Sequence, residues 1–308
     1  MRNFIEITID KWNDLFLLNQ SFFTNYVFRG QGDNSWHLET SLARLVKDFH
    51  GDNIPKNAAN QYEKDMLREF KWKYPGYQQN PNMLPKDYES IEWLSIMQHF
   101  GAKTRLLDFS DSLFVALYMA LYGSSRTDAA VWALNKNMIR EPFEYSAKSE
   151  GRYISKDEAD SLMYKKAEEW LNKQTLRNED YDFKCLYIVK PRICNERISR
   201  QQGLFVLPSS VSLPFEVILK EYCRMDDCLT NSVDKFAEMT NIHSFEAECG
   251  LVKIVIPNKL RFDFTRALQM MNISAETMYP GLEGLGQSIN SLRRLSYEQI
   301  EGGSGIIR

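Results

Sequence analysis

The chain is poor in cysteine, with five in 308 residues, at 185, 194, 223, 228 and 249. An odd, scattered set excludes a disulfide scaffold. Cys223 and Cys228 have no second Cys/His pair at zinc spacing, so the thiols read as free and no metal centre is expected. Long apolar runs are also missing. Met1 and Arg2 lead into a mixed polar segment, so neither a secretory leader nor a membrane helix is expected, and the expected location is the cytoplasm. Nor is there a charge excess of one sign. The net charge of -3 leaves no global basic field to hold nucleic acid, although a local basic groove remains compatible with it. No internal repeat or low-complexity tract is visible.

What is present is an ordinary globular composition, 44% hydrophobic and 26% charged, enough for one large domain with its own core. The domain is expected over residues 1–300, with a charged helical insertion at about 139–180. Residues 301–308, which include Gly302-Gly303-Ser304-Gly305, read as a flexible tail.

Strands are expected at Tyr26–Phe28, ended by Gly30 and Gly32, and at Leu106–Phe109, Ala130–Leu134, Cys185–Val189, Gly203–Leu207, Phe215–Leu219 and Leu251–Ile256. Helices are expected around Trp12–Leu18, at Leu38–Lys47 with a Thr40 or Ser41 cap, and at Asn60–Trp72. A further helix, Tyr88–Phe100, ends at Gly101, and Ser110 or Asp111 caps the next, Ser112–Tyr122. Leu260–Met271 and Leu282–Leu292 close the chain as helices. Tyr74–Pro85 reads as a long loop, either a lid or a surface excursion. Strands dispersed among helices without strict alternation imply an α+β fold.

Two polar segments stand out. Gln98-His99-Phe100-Gly101-Ala102-Lys103-Thr104-Arg105-Leu106-Leu107-Asp108-Phe109-Ser110 crowds titratable and hydroxyl side chains against the apolar run Leu113–Leu121. Buried charges of that density need partners or a ligand. The second segment, Tyr26-Val27-Phe28-Arg29-Gly30-Gln31-Gly32, delivers an arginine into a Gly-x-Gly turn. Glycine lets a backbone approach a ligand, and arginine grips phosphate or carboxylate bidentately. Arg29 therefore either holds an anion or forms a buried ion pair with Asp108 or a carboxylate elsewhere. Asp108 has two candidate partners, Arg29 and Arg105. Ser110 and Thr104 either bind a ribose or phosphate at a helix N-terminus, or Ser110 only caps the helix. His99 is either a general base or an orienting group. Gln201 and Gln202 precede a strand, where an amide can fix a ribose or base edge. The acid candidates are Asp108, Glu196, Glu246, Glu248 and Glu283. Lys71-Trp72-Lys73-Tyr74 reads either as a single-strand stacking site or as an amphipathic helix end.

These segments together resemble the FRG domain family, which takes its name from a Phe-Arg-Gly such as Phe28-Arg29-Gly30. The resemblance continues through Trp36, Leu38, Ser41-Leu42-Ala43-Arg44, the Gln98 segment, Arg197 with Gln201-Gln202-Gly203-Leu204-Phe205, and more weakly Met278–Leu285. The motif order is also similar to that of ADP-ribosyltransferases. That resemblance implies a mixed or antiparallel split β-sheet flanked by helices, an ADP-ribosyltransferase-like core with helical insertions, and NAD as co-substrate. Carried across residue by residue, it puts Arg29 at the first position, Ser110 or Thr104 at the second and Gln201 near the third; with the residue reading, the candidate catalytic set is Arg29, Ser110, Asp108, His99, Gln201 and Glu283. It places Phe28, Arg29, Gly30, Gln31, Thr104, Arg105 and Gln202 on the nucleotide. Where one branch of those enzymes carries a glutamate on the third strand, this chain has Gln201. The implied activity is transfer of ADP-ribose to a macromolecule, nucleic acid or protein, by an intracellular toxin or anti-phage effector with an antitoxin or chaperone as partner. The competing readings are a non-catalytic nucleotide- or RNA-binding module, which the missing glutamate favours, and a hydrolase using His99 and Asp108, for which no nucleophile motif exists.

Overall fold

The computed structural model describes residues 2–22, 25–51, 53–55, 57–77, 84–122, 126–177, 184–223, 225–234, 236 and 249–290. The fold is α+β. One eight-stranded mixed sheet runs through it, in the order β5-β6-β3-β2-β4-β8-β1-β7. The strands are β1 (Arg2–Thr8), β2 (Tyr26–Gln31), β3 (Leu107–Ser110), β4 (Ala129–Asn135), β5 (Leu186–Val189), β6 (Gly203–Pro208), β7 (Met225–Asn231) and β8 (Cys249–Ile256). β1 lies parallel to β7 and β8, and all other neighbours are antiparallel.

The ladders are unequal. β2 pairs with β4 over six residues, and β3 pairs with β6 over four. Between β2 and β3 the register holds a single pair, Phe28 opposite Ser110. The sheet is thus split into two well-knit parts that meet at one pair, as the sequence reading expects.

Helices cover both faces, because most strands are apolar along their whole length rather than on alternate residues. One core joins Leu107, Phe109, Val27 and the strands β5 and β6 to α3 (Ala58–Lys73), α4 (Ser90–His99), α6 (Lys136–Ser149), α7 (Lys156–Arg177) and α9 (Phe215–Cys223). The other joins Ile5, Ile7, Phe28, Val131 and Ile254 to α1 (Trp12–Phe22), α5 (Leu113–Leu121), α10 (Arg261–Met270) and α11 (Ala275–Met278). The charged 139–177 stretch supplies Ile139, Met163, Tyr164, Ala167 and Leu171 to the first core. Two short helices, α2 (Ser41–His50) and α8 (Glu196–Arg200), flank the sheet, and residues 281–290 are helical. No described helix is long and apolar enough to cross a membrane.

Two expectations change. Phe215–Leu219 is the start of a helix rather than a strand. Phe215, Ile218, Leu219 and Cys223 recur at helical spacing and all are buried, so the α9 stripe wins over the β-propensity of Val217-Ile218. The cap of α5 is Ser112 rather than Ser110 or Asp111. Its hydroxyl accepts from Val115 N at 3.3 Å. Asp111 instead pairs with Lys190 at 2.5 Å and Lys136 at 3.2 Å. The 78–83 part of the long loop, the tail 301–308 and residues 291–292 lie outside the described residues.

Candidate functional site

A cavity of about 320 Å³ opens at the meeting of β2 and β3. From β2 it takes Phe28, Arg29 and Gly30, and from β3 Asp108, Phe109 and Ser110. The end of α4 adds Gln98 and His99, while α8 and the start of β6 add Arg197, Gln201 and Gly203. Ala116 and Met119 of α5 form the apolar floor.

Local sequence explains how each part gets there. Gly30 packs against α5. A Cβ at that position would sit 2.0 Å from the Ala116 carbonyl oxygen and 2.6 Å from Ala120 N. Only glycine lets helix and strand close to that distance. On the other side, α4 stops at Gly101, whose φ of 87° is a left-handed C′ conformation. Gly101 N donates to the Gln98 carbonyl at 3.0 Å, and Ala102 N to the Met97 carbonyl at 2.9 Å. This paired closure fixes the end of the helix that carries Gln98 and His99.

Arg29 bridges the seam. Its Nη1 donates to the main-chain carbonyl of Asp108 at 2.7 Å and lies 3.7 Å from that residue's Oδ2. Its side chain is 17% exposed, and its Nε is buried without a partner. Desolvation lowers the Arg29 pKa; the Asp108 charge opposes this and nearby Arg44 adds to it. The ion pair raised as the alternative for Arg29 is therefore present, but its shorter contact is to main chain. Asp108 Oδ1 also accepts from Gln98 Nε2 at 2.6 Å.

His99 is half-buried at the rim, with its ring edge-on to Phe100 at 4.9 Å. Burial lowers its pKa and the positive Arg197 lowers it further, against a raising influence from Glu283. Both influences favour the neutral imidazole, the form that accepts a proton. Arg197 stacks over Tyr279 at 4.8 Å.

Ser110 donates from Oγ to the Gln201 carbonyl at 2.8 Å and accepts from Ser112 N at 3.0 Å. It thus ties the end of β3 to the turn before β6. Gln201 lines the cavity while its Nε2 donates to the Met278 carbonyl at 3.1 Å. Glu283 is not a lining residue. It sits on the exposed 281–290 helix, bonded by Gln287 at 3.1 Å, and its charge reaches His99, Tyr122 and Tyr279.

Four positions assigned to the nucleotide lie outside this cavity. Arg105 is fully buried. Its Nε donates to Glu63 Oε2 at 2.7 Å and its Nη1 to Gln174 Oε1 at 2.7 Å, Asn60 accepts from Nη2 at 3.2 Å, and the guanidinium lies 5.3 Å from the Trp170 ring centre. Arg105 therefore clamps α3 to α7 and does not pair with Asp108. Thr104 is buried and donates to Gln98 Oε1. Gln31 donates to the His37 carbonyl at 3.0 Å and accepts from Trp132 Nε1 at 2.6 Å. Gln202 is exposed, with a left-handed φ of 47°. Of the other acids, Glu196 is held by Arg200 at 2.5 Å, and Glu246 and Glu248 lie outside the described residues. At the end of α3, Trp72 is exposed but both lysines are engaged, Lys71 with Asp87 and Lys73 with Glu69.

Gln98 and Arg197, which line the cavity, were quoted in the motifs without a role. The signal for Gln98 was its place one turn before a C′ glycine. Arg197 carried no local signal beyond its spacing to Gln201.

A family model for the FRG domain matches residues 24–129. The chain carries an FRG domain. The matched stretch of the FRG domain holds the β2 and β3 lips and the α5 floor, whereas α8, β6 and the 281–290 helix follow it in sequence. No curated protein and no solved structure matches the chain.

Proposed function

We propose that the protein is an NAD-dependent ADP-ribosyltransferase that moves ADP-ribose to a macromolecular acceptor, RNA, DNA or protein, as an intracellular toxin or anti-phage effector. The observation that carries the reading is Arg29 at the split between β2 and β3, lining one cavity together with Ser110 and Gln201. A desolvated guanidinium with unspent donors suits a diphosphate, and the apolar floor suits an aromatic ring. In the reaction the bond from ribose carbon to nicotinamide nitrogen breaks, and an acceptor oxygen or nitrogen bonds to that carbon. Neutral His99 takes the acceptor's proton. The Asp108 carboxylate offsets the positive charge that develops on the ribose. Gln201 holds the ring edge that a glutamate would otherwise engage.

A second reading, a nucleotide- or RNA-binding module without turnover, is favoured by one observation: Asp108 is the only carboxylate lining the cavity among the described residues, and it already accepts from Gln98.

Labelled NAD incubated with the purified chain, with total RNA or with cell lysate, separates the two. Label transferred to a macromolecule, and lost in Arg29→Ala with the fold intact, is the expected result. Nicotinamide release without transfer would make it a glycohydrolase. Absence of turnover in a folded sample under every condition would leave the binding module.

A further inference from the structure

Behind Arg29 lies a second cavity of about 150 Å³, lined by residues of β2, α2, the turn after α4, and β3. The two cavities share Arg29, Gln98 and Asp108 as a common wall. The smaller one adds two cations, Arg44 and Lys103, and no further carboxylate among the described residues. Three positive groups therefore face one negative one.

The donors there are unequally committed. Ser41 Oγ is engaged with Thr104, donating to its carbonyl at 3.2 Å and accepting from its N at 3.0 Å. Arg44 donates one Nη1 bond to the Glu39 carbonyl at 2.8 Å, leaving its other N–H groups free of bonds among the described residues. Lys103 is exposed and has no ion pair among the described residues. Arg29 keeps a buried Nε without an acceptor. Asp108 is the only carboxylate lining the annex among the described residues, its side chain is 65% exposed, and it is shared with Gln98. Clustered like charges without matching anions are unfavourable unless an anion visits them.

We infer that this annex is an anion subsite that takes a phosphate group, with Arg29 as the hinge between it and the main cavity and Arg44 and Lys103 as its mouth. The inference deepens the proposed function. A phosphate in the annex is either the diphosphate of a dinucleotide whose other end fills the main cavity, or a backbone phosphodiester of an acceptor strand approaching from the Arg44 side. Both present the same oxygen acceptors to guanidinium and ammonium.

The test uses inorganic pyrophosphate as probe, titrated calorimetrically into the full chain and into the Arg44→Ala/Lys103→Ala double variant. Both residues are exposed, so the fold is expected to persist, checked by circular dichroism. Binding by the wild type, weakened about tenfold or more in the double variant and by added salt, supports the subsite. No binding by the wild type, or equal affinity in both proteins, overturns it. Competition by ADP-ribose identifies a dinucleotide diphosphate as the source; competition by a short single-stranded oligonucleotide identifies a phosphodiester. NAD turnover is assayed in parallel on the same samples. Turnover with unchanged pyrophosphate affinity in the variant removes the subsite and leaves the transferase. Pyrophosphate binding lost in the variant, without any turnover, does the reverse.

Discussion

Arg29 and Asp108, 79 positions apart in the chain, are joined by a 2.7 Å hydrogen bond from guanidinium to main-chain carbonyl across the seam of the sheet. Side-chain attraction is the lesser part of the contact, since the carboxylate is 3.7 Å away and mostly exposed. Asp108→Asn is therefore expected to change stability by less than about 1 kcal/mol in urea denaturation. Arg29→Ala leaves the carbonyl without its donor and is expected to cost about 1–3 kcal/mol. Equal losses in the two variants would contradict this ranking.

Gly30→Ala puts a methyl group into the backbone of α5, 2.0 Å from the Ala116 oxygen. Helix and strand must separate, and overpacking of this kind costs about 1–3 kcal/mol or more. A shift of the urea midpoint toward lower concentration, with spectroscopic loss of native packing around Phe28, is the expected outcome. A wild-type midpoint would mean that α5 yields freely.

Arg105 and Glu63 form an ion pair in which both side chains are only 1% exposed. Arg105→Ala strands the Glu63 carboxylate, and about 3–5 kcal/mol of stability is expected to go with it. Arg105→Met combined with Glu63→Leu removes both charges and is expected to recover most of that loss. Thermal melts of the single and double variants decide the matter: a double variant as unstable as the single one would show that the hydrogen bonds to Gln174 and Asn60 matter more than the charge.

Histidine titration by NMR is expected to place His99 below its ordinary value of 6.5, because burial and Arg197 both disfavour the imidazolium. Arg197→Gln should raise that midpoint and Glu283→Gln should lower it. Opposite movements would show that the rim is wired differently.

Glu168 caps the start of α4, accepting from Ser90 N and Ile91 N, and its pKa is pushed up to about 7, mainly by burial. The folded protein then keeps this proton where the unfolded chain, titrating near 4.5, has released it. Folding stability should accordingly decline as pH rises from about 4.5 to about 7. Glu168→Gln is expected to remove that part of the slope in pH-dependent denaturation while leaving the rest of the profile in place.

Much of this was legible from local pattern. The aromatic run Tyr26–Phe28 had to be a strand, and Gly101 had to end a helix, because both signals depend only on neighbours. Phe215–Leu219 was misread because a short apolar run of Val, Ile and Leu has the same composition in a buried strand and a buried helix; the deciding fourth residue, Cys223, lies one turn beyond it. Arg105 sat beside Thr104 and Asp108 and read as part of the same site. Its partners, 42 and 69 positions away on α3 and α7, are set by helix packing that no neighbouring residue announces. Ser110 was singled out in the sequence for a ligand or a helix cap, and its hydrogen bond to the Gln201 carbonyl depends on the return of the chain 91 residues later.

The stretch 24–129 that carries the family likeness ends as β4 begins, and it contains neither β6 nor β8. Cut out alone, it would hold two strands, β2 and β3, whose full ladders were to β4 and β6, and whose mutual ladder is one residue pair. The stretch that matches the family model is therefore not a self-contained sheet. Its two strands are held in place from outside, one by each flank, and a truncation to the matched boundaries would dismantle the sheet rather than isolate the domain.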